Sequence, residues 1–82
     1  MNKIYFKASV NNTFIYVMTT KDLMPKLYDH FTDGGYVIKK VEASTIDEAL
    51  KDGGIVYYAT DETIVDEFID NDNTVKEIRN ND

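Results

Sequence analysis

The sequence has no cysteine, no tryptophan, one proline and one histidine. Without cysteine the chain can form no disulfide, no thiolate nucleophile and no cysteine-ligated zinc or iron–sulfur site. The single histidine, His30, has no second imidazole to share a zinc ion, and no recognisable motif places a serine or threonine for it to activate. We expect His30 to lie on the surface of a helix, and the sequence predicts a protein that is not an enzyme.

Long apolar runs are also missing. No stretch approaches the roughly 20 residues that cross a membrane. The first ten residues, MNKIYFKASV, lack the apolar region of a signal peptide. We therefore expect a cytoplasmic protein without a membrane partner.

Neither a cofactor nor a metal ion is expected from the motifs. The glycine pairs 34–35 and 53–54 follow predicted helices and precede predicted strands, whereas a phosphate-binding glycine loop precedes a helix. Asp70 begins a stretch that resembles the start of a calcium loop, but Val75 replaces the required glycine and Asn81 the closing glutamate. The sequence predicts no phosphate, calcium or zinc site.

What the chain does contain is an uneven distribution of charge. Its 82 residues are 43% hydrophobic and 29% charged, which is typical of a folded globular domain, and the net charge is −6. Residues 1–41 contain six lysines and three aspartates, a net charge of +3, whereas residues 42–82 contain three basic and twelve acidic residues, a net charge of −9. A field of one sign steers partners of the opposite sign, although it also simply keeps small proteins dissolved.

The first part of the chain predicts a β-hairpin and a helix. Apolar and polar residues alternate over 3–10, Asn11-Asn12 suits a tight turn, and 13–19 is rich in β-branched and aromatic residues. An apolar stripe from Leu23 to Phe31 then predicts a helix with Pro25 in its first turn, Thr19 or Thr20 as its cap, and Gly34 or Gly35 as its left-handed end.

From residue 33 the sequence resembles itself at a spacing of 19 residues. Asp-Gly-Gly-Tyr-Val at 33–37 aligns with Asp-Gly-Gly-Ile-Val at 52–56. Each segment predicts a strand and then a helix: a strand over 36–43 with a helix over 46–51, and a strand over 55–59 with a helix over 61–70. A duplication and two independent units with the same turn residues both account for the similarity.

Local signals suggest how these elements end and pair. Thr45 and Glu48 have the spacing of a capping box, and Thr60 precedes the last helix as its expected N-cap. The strand over 55–59 is apolar on both faces, which predicts a central position in the sheet. Residues 74–79 are compatible with an edge strand or a helical turn.

Together these elements predict one α+β domain over residues 1–79 with a frayed tail over 80–82. We expect the order β-β-α-β-α-β-α and a single small mixed sheet of about four strands with its helices packed on one face. The other face would then be open to solvent or to a partner.

The candidate binding residues lie on and just after the last helix. If Ile64, Val65, Phe68 and Ile69 point inward, a set of carboxylates points outward as one continuous acidic ridge. Its predicted members are Glu62, Asp66, Glu67, Asp70 and Asp72.

These features favour a small acidic binding module that engages a basic site on another protein, and in the strongest version of this hypothesis that site binds nucleic acid. In size, charge and lack of cysteine the chain resembles inhibitors encoded by bacteriophages and mobile elements, including some anti-CRISPR proteins. This resemblance involves no shared motif, so it assigns no functional residue. The alternative is a self-associating structural or regulatory module, in which opposite charges pair in a homodimer or an edge strand extends the sheet.

Direct nucleic-acid binding is the least favoured binding mode. Lys3, Lys7, Lys39 and Lys40 with a stacking platform at Tyr5 or Tyr36 would be its basis. Because the second half of the chain is strongly acidic, phosphate would be repelled, and we expect no direct nucleic-acid partner. The six tyrosines suit either a protein interface or ordinary sheet packing.

Overall fold

A computed structural model of the chain describes residues 3–71. The elements follow the predicted order β-β-α-β-α-β-α and form one mixed four-stranded sheet, which confirms the α+β prediction. The predicted segment 74–79 and the tail 80–82 lie outside the described residues. The elements are β1 (Lys3–Val10), β2 (Thr13–Thr20), α1 (Met24–Asp33), β3 (Val37–Lys40), α2 (Ala43–Lys51), β4 (Val56–Ala59) and α3 (Glu62–Asn71).

The strands lie in the order β3-β1-β2-β4. β1 is antiparallel to both β2 and β3, and β2 is parallel to β4, so β2, β3 and β4 run in the same direction. Among residues 3–71, β4 forms one edge of the sheet, so the predicted central position of the strand over 55–59 is wrong there. Apolar residues on both sides of a strand indicate that other elements pack on its two faces. They do not indicate how many strands pair with its hydrogen-bonding edges.

The hairpin matches its prediction closely. β1 and β2 pair along their full length, from Lys3 opposite Thr20 to Val10 opposite Thr13. The two-residue turn places Asn11 at a φ of 55°, in the left-handed region that asparagine tolerates better than most residues.

The core lies on one face of this sheet. Phe6 and Ala8 of β1 and Val17 of β2 are buried there against α1 and α3. The ring of Phe31 in α1 packs edge-on against Phe6, with 5.9 Å between the ring centroids. This face holds the main hydrophobic cluster of the described residues.

The three helices do not share one face, which corrects that part of the expectation. α2 lies against the other side of the sheet, where Ala43 lines a cleft with Tyr5, and Ala49 lines one with Phe14 and Tyr16. The physical reason lies in the strand order. The β2–α1–β3 connection moves toward one edge of the sheet and the β3–α2–β4 connection moves toward the other. Because crossovers between parallel strands are nearly always right-handed, opposite directions place the two helices on opposite faces.

Both glycine pairs end helices in the same way. Tyr36 N–H donates to the Phe31 carbonyl at 3.0 Å after α1, and Gly54 N–H donates to the Ala49 carbonyl at 2.7 Å after α2. These are the long bonds of a Schellman motif, which requires a left-handed residue just before the donor. Gly35 and Gly53 supply it, with φ values of 85° and 79°. The left-handed residue is the second glycine in one pair and the first in the other, so the two turns are shifted by one residue within the 19-residue similarity.

The predicted N-caps are wrong for all three helices. Leu23 occupies the N-cap of α1 and Glu42 that of α2, and neither side chain caps its helix. Thr19 and Thr20 belong to β2 instead, and α2 begins before Thr45. A threonine near a helix start signals a cap only if the preceding strand ends there, which depends on how far the sheet pairs.

At α3 the cap is Asp61 and not Thr60. One carboxylate oxygen of Asp61, Oδ1, accepts the backbone N–H groups of Thr63 at 2.8 Å and Ile64 at 3.4 Å. We expect Asp61→Ala to lower the free energy of unfolding by about 1 kcal/mol, the usual cost of a lost cap. Urea unfolding followed by circular dichroism measures it. The matched variant Thr60→Ala should change stability by less than about 0.5 kcal/mol, and the reverse order would restore Thr60 as the cap.

Candidate partner-binding surface

Helix α3 is held against the sheet and α1 by one apolar side. Val65 is fully buried, and the ring of Phe68 stacks on Tyr57 of β4 with 4.2 Å between the centroids and 26° between the planes. The Tyr57 hydroxyl donates to the carbonyl oxygen of Ile64 at 2.9 Å. These contacts determine which side of α3 faces water.

The four described carboxylates predicted to point outward are all exposed: Glu62, Asp66, Glu67 and Asp70. We call these four residues the acidic surface. Asp72, the fifth predicted member, lies outside the described residues. The helical phase therefore predicted the side on which the carboxylates lie, but Ile64, which was expected to point inward, is 42% exposed.

A lysine from α1 interrupts the acidic surface. Lys26 Nζ lies 2.8 Å from Asp66 Oδ1 and 3.7 Å from Glu62 Oε1. The sequence analysis missed this residue, because Lys26 is 40 positions from Asp66 and no local pattern connects them. The N-terminal half of the acidic surface is thus partly neutralised, and the ridge of charge is not continuous.

These ion pairs are electrostatic contacts in water. The hydrogen bond to Asp66 is the main reason that the pKa of Lys26 is raised above its ordinary value, and the charges of Asp66 and Glu62 add to it. The side chains of Lys26 and Asp66 are about half exposed and that of Glu62 more so. Exposed pairs of this kind contribute little to folding stability and are screened by salt. A partner's cation can therefore compete with Lys26 for the same carboxylates.

The C-terminal half of the acidic surface has a different environment. Within residues 3–71, no lysine or arginine forms an ion pair with Glu67 or Asp70. Burial of the Tyr57 hydroxyl raises the pKa of Tyr57, and the negative charge of Glu67 raises it further. Glu67 and Asp70 therefore present uncompensated negative charge among the described residues.

A second acidic helix lies on the other side of the sheet. Asp47 and Glu48 of α2 stand in the 19-residue alignment where α3 has Asp66 and Glu67, and both are exposed. Negative charge is thus not confined to α3. The pair on α2 offers a control of the same chemistry on the opposite face.

His30 is not the surface residue that we expected. Its side chain is buried between α1 and α3, with ring centroids 5.3 Å from Phe31 and 5.7 Å from Phe68. The prediction failed because α3 covers this side of α1, and a helix packing onto another helix leaves no local sequence signal.

The two tyrosines considered above as stacking platforms lie in different surroundings: Tyr5 lines a cleft with Lys3 and Lys40, whereas Tyr36 lies in the core. Tyr36 is buried against the Phe31 ring, at 5.1 Å between centroids, and is closed to a base. Lys7 instead lies over the ring of Phe14, 4.5 Å from its centroid, in a cation–π contact. Lys7 and Lys39 are direct cross-strand neighbours on β1 and β3.

Two general properties of the described residues bear on the site. No group of three histidine, aspartate or glutamate side chains within residues 3–71 is arranged to hold a metal ion. None of the helices in the same range is long and apolar enough to cross a membrane.

Comparison with known proteins gives no relative: no family model, no curated protein and no solved structure matches this chain.

Proposed function

We propose that this protein is a small non-enzymatic binding module whose acidic surface engages a basic site on another protein. In its most specific form the partner is a nucleic-acid-binding protein, and the carboxylates occupy the groove that binds phosphate. The observation that carries the proposal is that one ten-residue helix exposes four carboxylates. Among the described residues, Lys26 is the single lysine that forms an ion pair with any of them.

The arrangement of the carboxylates supports this reading. Glu62, Asp66 and Asp70 are four residues apart, so they follow one side of α3 at intervals of about 6 Å along its axis. Like charges at this spacing weaken an isolated helix by a few tenths of a kcal/mol. A row of anions on a rigid helix, held by Val65 and Phe68 from beneath, suits a surface that is itself rigid and basic.

The test reverses charge at the two carboxylates that no described cation pairs with. We expect the double variant Glu67→Lys/Asp70→Lys to capture its partner from a cell lysate about tenfold less well at low ionic strength, because two attractions become repulsions. Captured proteins are quantified by mass spectrometry, and capture by the unmodified protein should fade as salt is raised. Duplex DNA should compete with the protein for the captured partner.

The matched control is Asp47→Lys/Glu48→Lys, which makes the same change of net charge on α2. We expect this variant to retain capture. Equal loss in both variants would mean that only net charge matters, and equal retention in both would exclude the acidic surface as the binding site. Capture without competition by DNA would reject the nucleic-acid-binding partner and leave another basic protein as the partner.

A further inference from the structure

The two edges of the sheet differ in how they are protected. β3, at one edge, carries Lys39 and Lys40, and lysines on an edge strand discourage pairing with another chain. β4, at the other edge, reads Val-Tyr-Tyr-Ala and has neither a charge nor a proline. Within residues 3–71, no strand pairs with the outer side of β4. None of the described backbone groups therefore bonds to that side of β4, where an extended chain could pair.

Exposed apolar side chains are concentrated around this same edge. Ile55, just before β4, is 76% exposed, and Tyr58 within it is 47% exposed. Phe14 lies on the neighbouring strand β2, and Ile64 lies on α3, where its carbonyl accepts the Tyr57 hydroxyl. These four residues are the majority of the seven large apolar side chains exposed in the described part of the chain.

We propose that the outer edge of β4 pairs with the same edge of a second copy, so that two sheets join into one of eight strands. Two copies related by a two-fold axis present identical edges in antiparallel register, which closes the assembly at a dimer. Tyr58 and Ile55 of each copy would flank the interface between the two β4 strands. This interface is separate from the acidic surface, and it does not depend on the proposed function.

The charges on the edge strands favour pairing of β4 with β4 over pairing of β3 with β3. Joining two β3 edges would bring Lys39 and Lys40 close to their own copies, and like charges across a strand pair are destabilising. Joining β3 to β4 would leave a free edge at each end and grow a filament. Joining β4 to β4 places no charged strand residue against its copy, since the strand has none.

The net charge predicts a dependence on salt that distinguishes this association from partner capture. Each copy carries −6, so two copies repel each other and added salt should strengthen the dimer. Capture through the acidic surface should weaken under the same change. The two proposals therefore fail or succeed separately.

Sedimentation velocity of the full chain over a concentration series tests the dimer. We expect the mass of the unmodified protein to rise from that of one chain toward that of two. The dissociation constant of the dimer should increase at least about tenfold in Tyr58→Lys, because this variant places a charge at the interface between the two β4 strands. The matched control is Val37→Lys on β3, where the residue is 67% exposed, and it should leave association unchanged. Circular dichroism verifies that each variant is folded, and Ile55→Lys replaces Tyr58→Lys if the latter is not.

Three results would overturn the proposal. The first is a monomer at every concentration. The second is equal weakening by the β3 control, and the third is a mass that keeps growing beyond two chains.

Discussion

Phe31→Ala is expected to remove about 3–5 kcal/mol from the free energy of unfolding, the usual cost of deleting a buried phenylalanine ring. Phe31 is 1% exposed, and its ring lies within 6 Å of the rings of Phe6, His30, Tyr36 and Phe68. It is therefore the side chain through which β1, α1, α3 and the segment leading into β3 all meet. A domain of this length has only about 4–12 kcal/mol of stability in total, so the variant should be largely or partly unfolded at room temperature.

Urea unfolding followed by far-ultraviolet circular dichroism measures this loss, because the chain has no tryptophan for fluorescence. Tyr28→Ala is the matched control, since Tyr28 is an aromatic residue of the same helix but is 49% exposed. It should cost less than about 1 kcal/mol. Similar losses in the two variants would contradict a core centred on Phe31.

Thr19→Val is expected to have the second largest effect, about 1–3 kcal/mol, although valine has the same shape as threonine. The Thr19 side chain is fully buried, and its hydroxyl donates to the carbonyl oxygen of Ala59 at 2.7 Å. This bond ties β2 to the end of β4, the strand at the open edge of the sheet. Removing the hydroxyl deprives the Ala59 carbonyl of that donor in a site closed to water.

Thermal or urea unfolding gives the size of the effect, and hydrogen exchange gives its location. The backbone amides of β4 should exchange faster in Thr19→Val than in the unmodified protein, whereas those of β1 should change less. The same substitution at Thr13, an exposed threonine of the same strand, should alter stability by less than about 0.5 kcal/mol. Unchanged protection of β4 would show that the bond does not hold the strand.

Hydrophobic periodicity predicted much of the fold. The hairpin was predicted almost to the residue, because alternation and the Asn-Asn turn are both local signals. Gly35 was correctly one of two candidates for the left-handed end of α1. The cap of α1 was not predictable, because whether Thr20 belongs to a helix or a strand depends on the partner strand, and Lys3 lies opposite it.

The candidate surface was likewise predictable from the sequence only in part. The exposure of Asp66 and Glu67 follows from the phase of Val65 and Phe68 within a single helix. The contact with Lys26 does not, because it requires α1 and α3 to pack side by side. Burial of His30 has the same origin, since the ring of Phe68 reaches it from 38 positions away in the chain.

The sequence by itself determined the number, type and order of the elements, the absence of thiol chemistry and the side of α3 on which the carboxylates lie. Each of these depends on residues within a few positions of one another. Only the tertiary structure decided that β4 is an edge strand within residues 3–71, that α2 lies opposite α1 and α3, and that Lys26 divides the acidic surface. These features depend on which strands pair and on the handedness of the connections, and contacts between residues 40 apart are set by the packing of the whole domain.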